Sequence, residues 1–122
     1  MAGTVDPSVI ADYHAHVYYD PASTREEAAR LREAIAEAFP AALLGRWHEV
    51  PVGPHPVAMY QVKFPVVDFA RLVPWLMLNR GALAVLVHPN TDDEYADHAH
   101  HALWLGAKLP LRLDVLKRKD SA

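Results

Sequence analysis

The sequence predicts an α+β domain of the ferredoxin-like, split βαβ kind, with order β-α-β-β-α-β and a four-stranded antiparallel sheet carrying two helices on one face. Two stretches place apolar residues at helical spacing, and four short runs are rich in β-branched, aromatic and small residues. They follow one another in that order, and no repeat, linker or low-complexity segment competes with them.

The first strand is read in DYHAHVYYD at 12–20, bounded by Asp12 and Asp20-Pro21, with Ala15 and Val17 facing one way and His14, His16 and Tyr18 the other. STREEAARLREAIAEAF then reads as a helix, with Ser23 as a cap answered by Glu26 and with Ala28, Leu31, Ile35, Ala38 and Phe39 on one face. Pro40 ends it. A second strand is expected within Leu43 to Val50, where Arg46 and His48 share a face opposite Gly45 and Trp47. Pro51 to Pro56 should be a stiff turn carrying His55, because its prolines lack amide donors. VAMYQVKF at 57–64 follows as the third strand. Phe69, Leu72, Val73 and Leu76 mark a second helix over 68–79, with Gly81 as its stop and Pro74 implying a kink or a broken first turn. Ala82 to His88 is the fourth strand, and the segment from 88 to 106 is turn-like at first and then without clear period.

The 122 residues fit a single domain over 1–122, with its core in 11–106 and with 1–10 and 117–122 expected to fray. A formal charge of −3 argues against a nucleic acid or an anionic membrane as partner, and no stretch is apolar for the roughly 18 residues that a span requires. The start of the chain lacks a basic and apolar leader pattern, so a cytoplasmic protein is expected. With no cysteine, thiolate sites, disulfides and cysteine nucleophiles are excluded. No phosphate loop, nucleophile elbow or H-E-x-x-H helix is present.

Histidine is the outlier, with eight in the chain. With strands one and three expected side by side and parallel at the centre, and strands two and four opposed on the edges, His14, His16, His48, His55 and His88 should gather at one end of the sheet. The H-x-H pair at 14 and 16 suits two imidazoles leaning onto one metal ion, with a third ligand from a neighbouring strand. Each pattern also has a plain reading: a hydrogen-bonded His pair, a loop residue at His55, a solvated turn at His98, His100 and His101. The convergence favours a metal site, and imidazoles without thiolates suit iron(II), zinc, copper or nickel alike. The acidic run Asp92, Asp93, Glu94 and Asp97 reads first as a solvated turn, with Asp97 held in reserve as a ligand.

YHAHVYYD at 13–20, GRWHEVPVGPHPVAMYQVKF at 45–64, PWLMLNRG at 74–81 and LVHPNTDDEYADHAHHALWLG at 86–106 together resemble the DOPA 4,5-dioxygenase family, across nearly everything from Tyr13 to Gly106. The resemblance implies a ferredoxin-like, often dimeric protein whose non-haem Fe(II) opens catechols such as DOPA with O2. It places the family's histidines on His14, His16, His48, His55, His88, His98 and His101, leaving His100 outside the pattern. Tyr19 and Glu49 depart from it, Tyr19 standing where phenylalanine is frequent and Glu49 where aspartate or another polar residue is common.

On this reading His14, His16 and His88 supply or adjoin the metal. His48 and His55 are the acid–base candidates, one taking a catechol proton and the other giving one to the departing oxygen. Arg46, His98 and His101 contact substrate, Arg46 by pairing with a carboxylate. Tyr60 and Trp104 fill the core. A homodimer is expected because the helix-free face should expose Met59 and Leu86, with residues from Asn90 to about Pro110 as a flap. Two other readings compete: a dimeric protein that binds metal or an aromatic ligand without turnover, and a zinc enzyme performing a hydrolytic or isomerase step.

Overall fold

A computed structural model describes residues 3–119. The strands are β1 (Asp12–Tyr18), β2 (Leu43–Leu44), β3 (Met59–Phe64), β4 (Val85–Asn90) and β5 (Leu103–Leu105). The helices are α1 (Arg25–Ala38), α2 (Phe69–Asn79) and α3 (Glu94–Ala99). They form one sheet in the order β2-β3-β1-β4-β5, with every neighbouring pair antiparallel. The split βαβ pattern holds, and β5 extends the expected four strands by one.

One expectation is overturned. β1 and β3 run antiparallel, with Tyr13 opposite Phe64 and Tyr18 opposite Met59. In a split βαβ unit the parallel pair is β1 with β2, and β3 is inserted between them against both. The start of β1 therefore meets the ends of β3 and β4, whereas His48 and His55 enter from the opposite end of the sheet.

Alternation along β1 divides the two faces. Ala15 and Val17 are fully buried beneath the helices, among Ala28, Leu31 and Ile35 of α1 and Leu72, Val73 and Leu76 of α2. Burial of each large aliphatic there contributes roughly 1.5–3 kcal/mol. Tyr60 lies in the same core and donates its hydroxyl to the Ala28 carbonyl at 2.7 Å, so it fills space as expected.

α1 starts later than the Ser23 cap predicts. Thr24 holds the cap position without a side-chain cap bond, and Asp20 organises the entry turn by accepting from the Ala22 amide and the Ser23 hydroxyl. α2 keeps Pro74 inside it without breaking, preceded by a short 3-10 turn over Val66–Asp68. Gly81, at φ +59°, ends the passage out of α2 as expected of a left-handed stop.

β2 is short because the strand bulges. The Gly45 amide donates to Gln61 and the His48 amide to Met59, so Arg46 and Trp47 together oppose Tyr60. The bulge turns Trp47 onto Tyr60, 4.9 Å between centroids, and sets His48 opposite Met59. Arg46 is left exposed, off the shared face expected for it and His48.

The helix-free face is also covered. Tyr18, Met59 and Leu86 are buried against Val52, Ala84, Ala102, Trp104, Leu109 and Leu111 of the same chain. Met59 and Leu86, at 4% and 0% exposure, therefore give no apolar patch that calls for a second copy. The expected flap is partly regular structure: α3, whose amide at Ala96 is capped by the Asp93 carboxylate, and then β5. Among the described residues, no helix is long and apolar enough to cross a membrane.

Candidate metal centre

The half of the helix-free face not sealed by apolar residues carries the histidines. His14 and His88 are direct cross-strand partners on β1 and β4, and His16 follows two residues along β1. Each of the three offers a ring nitrogen within 4.8 Å of the others. The Nε2 atoms of His16 and His88 lie 3.1 Å apart, a spacing that suits two neighbouring ligands of one ion with bonds of about 2.1 Å.

His88 Nδ1 lies 2.9 Å from the Pro89 carbonyl, which can only accept, so Nδ1 carries the proton and Nε2 presents a lone pair. His16 Nδ1 is buried with no partner among the described residues. All three imidazoles are kept neutral. Burial drives His88 down to about 3, His16 well below the ordinary histidine value and His14 below it, with the neighbouring imidazoles adding repulsion and Asp12 partly opposing the shift at His14. Neutral imidazoles, two of them buried, are the donor set that a divalent transition metal needs.

Two further histidines close the group from outside the strands. The turn before β3, tied down by the Arg112 amide on the Pro54 carbonyl, brings the His55 ring to 4.1 Å from that of His16. Burial, with His98 next, lowers His55 to about 4. α3 brings His98 to 3.9 Å from the His88 ring, and its Nδ1 donates to the Glu94 carbonyl at 2.8 Å.

The remaining candidates sit elsewhere. His48 is half-buried beside Met59, close enough for its charge to depress His55. His101 is exposed and lines a separate cavity of about 800 Å³ with Val5, Tyr13, Phe69 and Val87, away from the clustered rings. Asp97 is buried, but its carboxylate is engaged by the Thr91 amide and hydroxyl at 2.8 and 2.6 Å, so it closes a loop and is not free as a ligand. Trp104 stacks on Tyr18 in the apolar half of the face. Tyr18 itself is the residue the histidine reading passed over: its hydroxyl lies 2.7 Å from His55 Nδ1. Its signal was its place on the same strand face as His14 and His16. Tyr19 and Glu49, the two departures from the family pattern, bond to each other at 2.8 Å, so one accommodates the other.

The family pattern of the DOPA 4,5-dioxygenase family matches residues 13–115. This chain belongs to that family. It is 38% identical to a DOPA 4,5-dioxygenase of Amanita muscaria, over 96% of this chain and 54% of that protein. It is 39% identical to an uncharacterised 21.2 kDa protein of Botryotinia fuckeliana, over 93% of this chain and 68% of that protein. The chain thus spans about half to two thirds of these fungal proteins. A crystal structure from Nostoc punctiforme, of a protein provisionally designated a dioxygenase, superposes with a TM-score of 0.89 at 51% identity, covering 92% of this chain and 96% of that one. Family membership points to an oxygenase, and the three-histidine group could hold its metal.

Proposed function

We propose that this member of the family is an extradiol dioxygenase that opens a catechol such as DOPA with O2 at a non-haem Fe(II) held by His14, His16 and His88. The observation that carries the reading is the convergence of three neutral imidazoles, with donor atoms within 4.8 Å, on one sheet face. When bound, the iron would bring catecholate and O2 into one coordination shell. Zinc or another divalent ion would also be accepted by these donors. The chain's own residues do the rest. The ring cluster of His55 and His98 lies beside His16 and His88, where protons can be exchanged with a bound catechol. Tyr18, Met59, Leu86 and Trp104 form a dry apolar floor next to it.

His48 remains an acid–base candidate only through its proximity to His55. Arg46 and His101, both exposed, are assigned to substrate contact only as far as a catechol side chain reaches outward. A cytoplasmic homodimer belongs to the same proposal. Its remaining support is the exposed Val5, Val67 and Leu78 on other surfaces, and a monomeric mass by light scattering at micromolar concentration rejects it.

The deciding experiment is anaerobic loading with Fe(II), followed by a catechol and O2. A yellow ring-opened product with stoichiometric O2 consumption is expected. Catechol binding without O2 consumption would leave a ligand-binding protein in its place.

A further inference from the structure

His55 and His98 flank the same pair of candidate ligands, yet their Nδ1 atoms have opposite kinds of partner. His98 Nδ1 faces a main-chain carbonyl, which only accepts, so the proton sits on Nδ1 and Nε2 is a bare lone pair. His55 Nδ1 faces the Tyr18 hydroxyl at 2.7 Å, inside a buried pair. Tyr18 is 3% exposed, and its hydroxyl has no other partner among the described residues. If His55 Nδ1 donated, the phenolic proton would be buried without an acceptor. If the phenol donates, both groups are satisfied, and the better donor meets the better acceptor.

We infer that Tyr18 is a positioning residue that holds His55 in the Nε2–H tautomer, making His55 the hydrogen-bond donor of the site and His98, with its bare Nε2, the proton acceptor. The inference rests on the oxygenase reading for its catalytic meaning, but not for its geometry. It gives the donor and acceptor roles to His55 and His98, where the sequence offered His48 and His55. It also moves His98 from substrate contact to base. In the forward reaction the catechol O–H bond breaks with its proton passing to His98 Nε2. His55 keeps its proton and hydrogen-bonds through Nε2–H to the departing oxygen, while the proton taken up by His98 is released to the product, which returns His98 to its neutral form.

The test is a long-range ¹H–¹⁵N spectrum of the metal-free protein, labelled at histidine and held at pH 7.5, with resonances assigned through His55→Gln and His98→Gln. Wild type should show His55 protonated at Nε2 and His98 at Nδ1. Tyr18→Phe should shift His55 toward the Nδ1–H form and leave His98 unchanged. A wild-type His55 protonated at Nδ1, or a His55 pattern indifferent to Tyr18→Phe, overturns the inference; the wild-type arm does not depend on the variant folding. In the iron-loaded enzyme Tyr18→Phe should lower kcat on the order of tenfold or more with KM little changed. An unchanged kcat refutes the positioning role. Absence of any ring opening in wild type, with the tautomers as described, defeats the proposed activity and leaves the tautomer assignment standing.

Discussion

The two faces of one strand show how the same backbone serves two purposes. On one side of β1, Ala15 and Val17 pack against two helices with nothing polar to satisfy, and their burial contributes directly to stability. On the other, His14 and His16 are held in a half-sealed layer where His16 Nδ1 finds no partner among the described residues and burial keeps the imidazoles from taking up protons. The helix face is stable as it stands. The histidine face keeps its imidazoles neutral, with lone pairs that a cation could take up. Tyr18, Met59 and Leu86 share the histidine side yet are as dry as the core, so the site is a polar patch set in an apolar layer.

The comparison breaks most sharply at the ligands. His16→Ala should abolish iron binding and lower turnover by at least about a thousandfold while circular dichroism stays native, since it removes a first ligand without touching the helix face. Stoichiometric iron in each of the alanine variants at 14, 16 and 88 would refute the assignment. The converse variant, Leu72→Ala, should cost roughly 2–5 kcal/mol in urea unfolding yet retain iron stoichiometry, because Leu72 is fully buried on the helix side.

Acid should find the histidine face first. In the folded, metal-free protein burial holds His55 and His88 down to about 4 and about 3, against about 6.5 for unfolded histidine. Their folded values are depressed, so below pH 6.5 the unfolded chain binds protons that the native state refuses. The stability that neutral burial preserves is complete above pH 6.5 and is lost as pH falls through about 4 for His55 and about 3 for His88, on the order of several kcal/mol in all. Urea midpoints of the metal-free protein at pH 7.5 and pH 5 should differ accordingly, and equal midpoints would show that these rings are not buried and neutral. Fe(II) or Zn(II) at about a hundred times its Kd should raise unfolding free energy at pH 7.5 by about 2.7 kcal/mol, reversed by a chelator. Its absence in thermal scans would count against a preformed site. The smallest effect belongs to Tyr60→Phe, which removes only the hydroxyl bonded to Ala28: about 1 kcal/mol of stability and no change in metal content.

The main elements were legible because they depend on local periodicity. The alternation in DYHAHVYYD separates Ala15 and Val17 from His14, His16 and Tyr18 whatever the strand later pairs with. The spacing in α1 and α2 and the stop at Gly81 are equally local. α3 and β5 escaped because six and three residues are too short to show a period, although Asp93 three residues before Ala96 was a readable cap. The bulge at Arg46 and Trp47 was invisible because it arises from how Gly45 and His48 pair with β3.

Composition and order determined, without any coordinates, that the chain is a cysteine-free α+β domain, rich in histidine, with two imidazoles on one strand face. The parallel pairing first expected of β1 and β3 was wrong, because the crossover through α1 makes β1 parallel to β2 and leaves β3 antiparallel between them. The antiparallel sheet puts His14 opposite His88, but it sends His48 and His55 to the other end. His55 reaches His16 because the turn anchored at Pro54 folds back over the face, and His98 reaches His88 because α3 returns from the end of β4. Ligand-forming potential is a property of residue type and alternation, which sequence carries locally. Which rings meet, and which nitrogen of each is free, depends on contacts with Pro89, Glu94 and Tyr18 that only the folded chain creates.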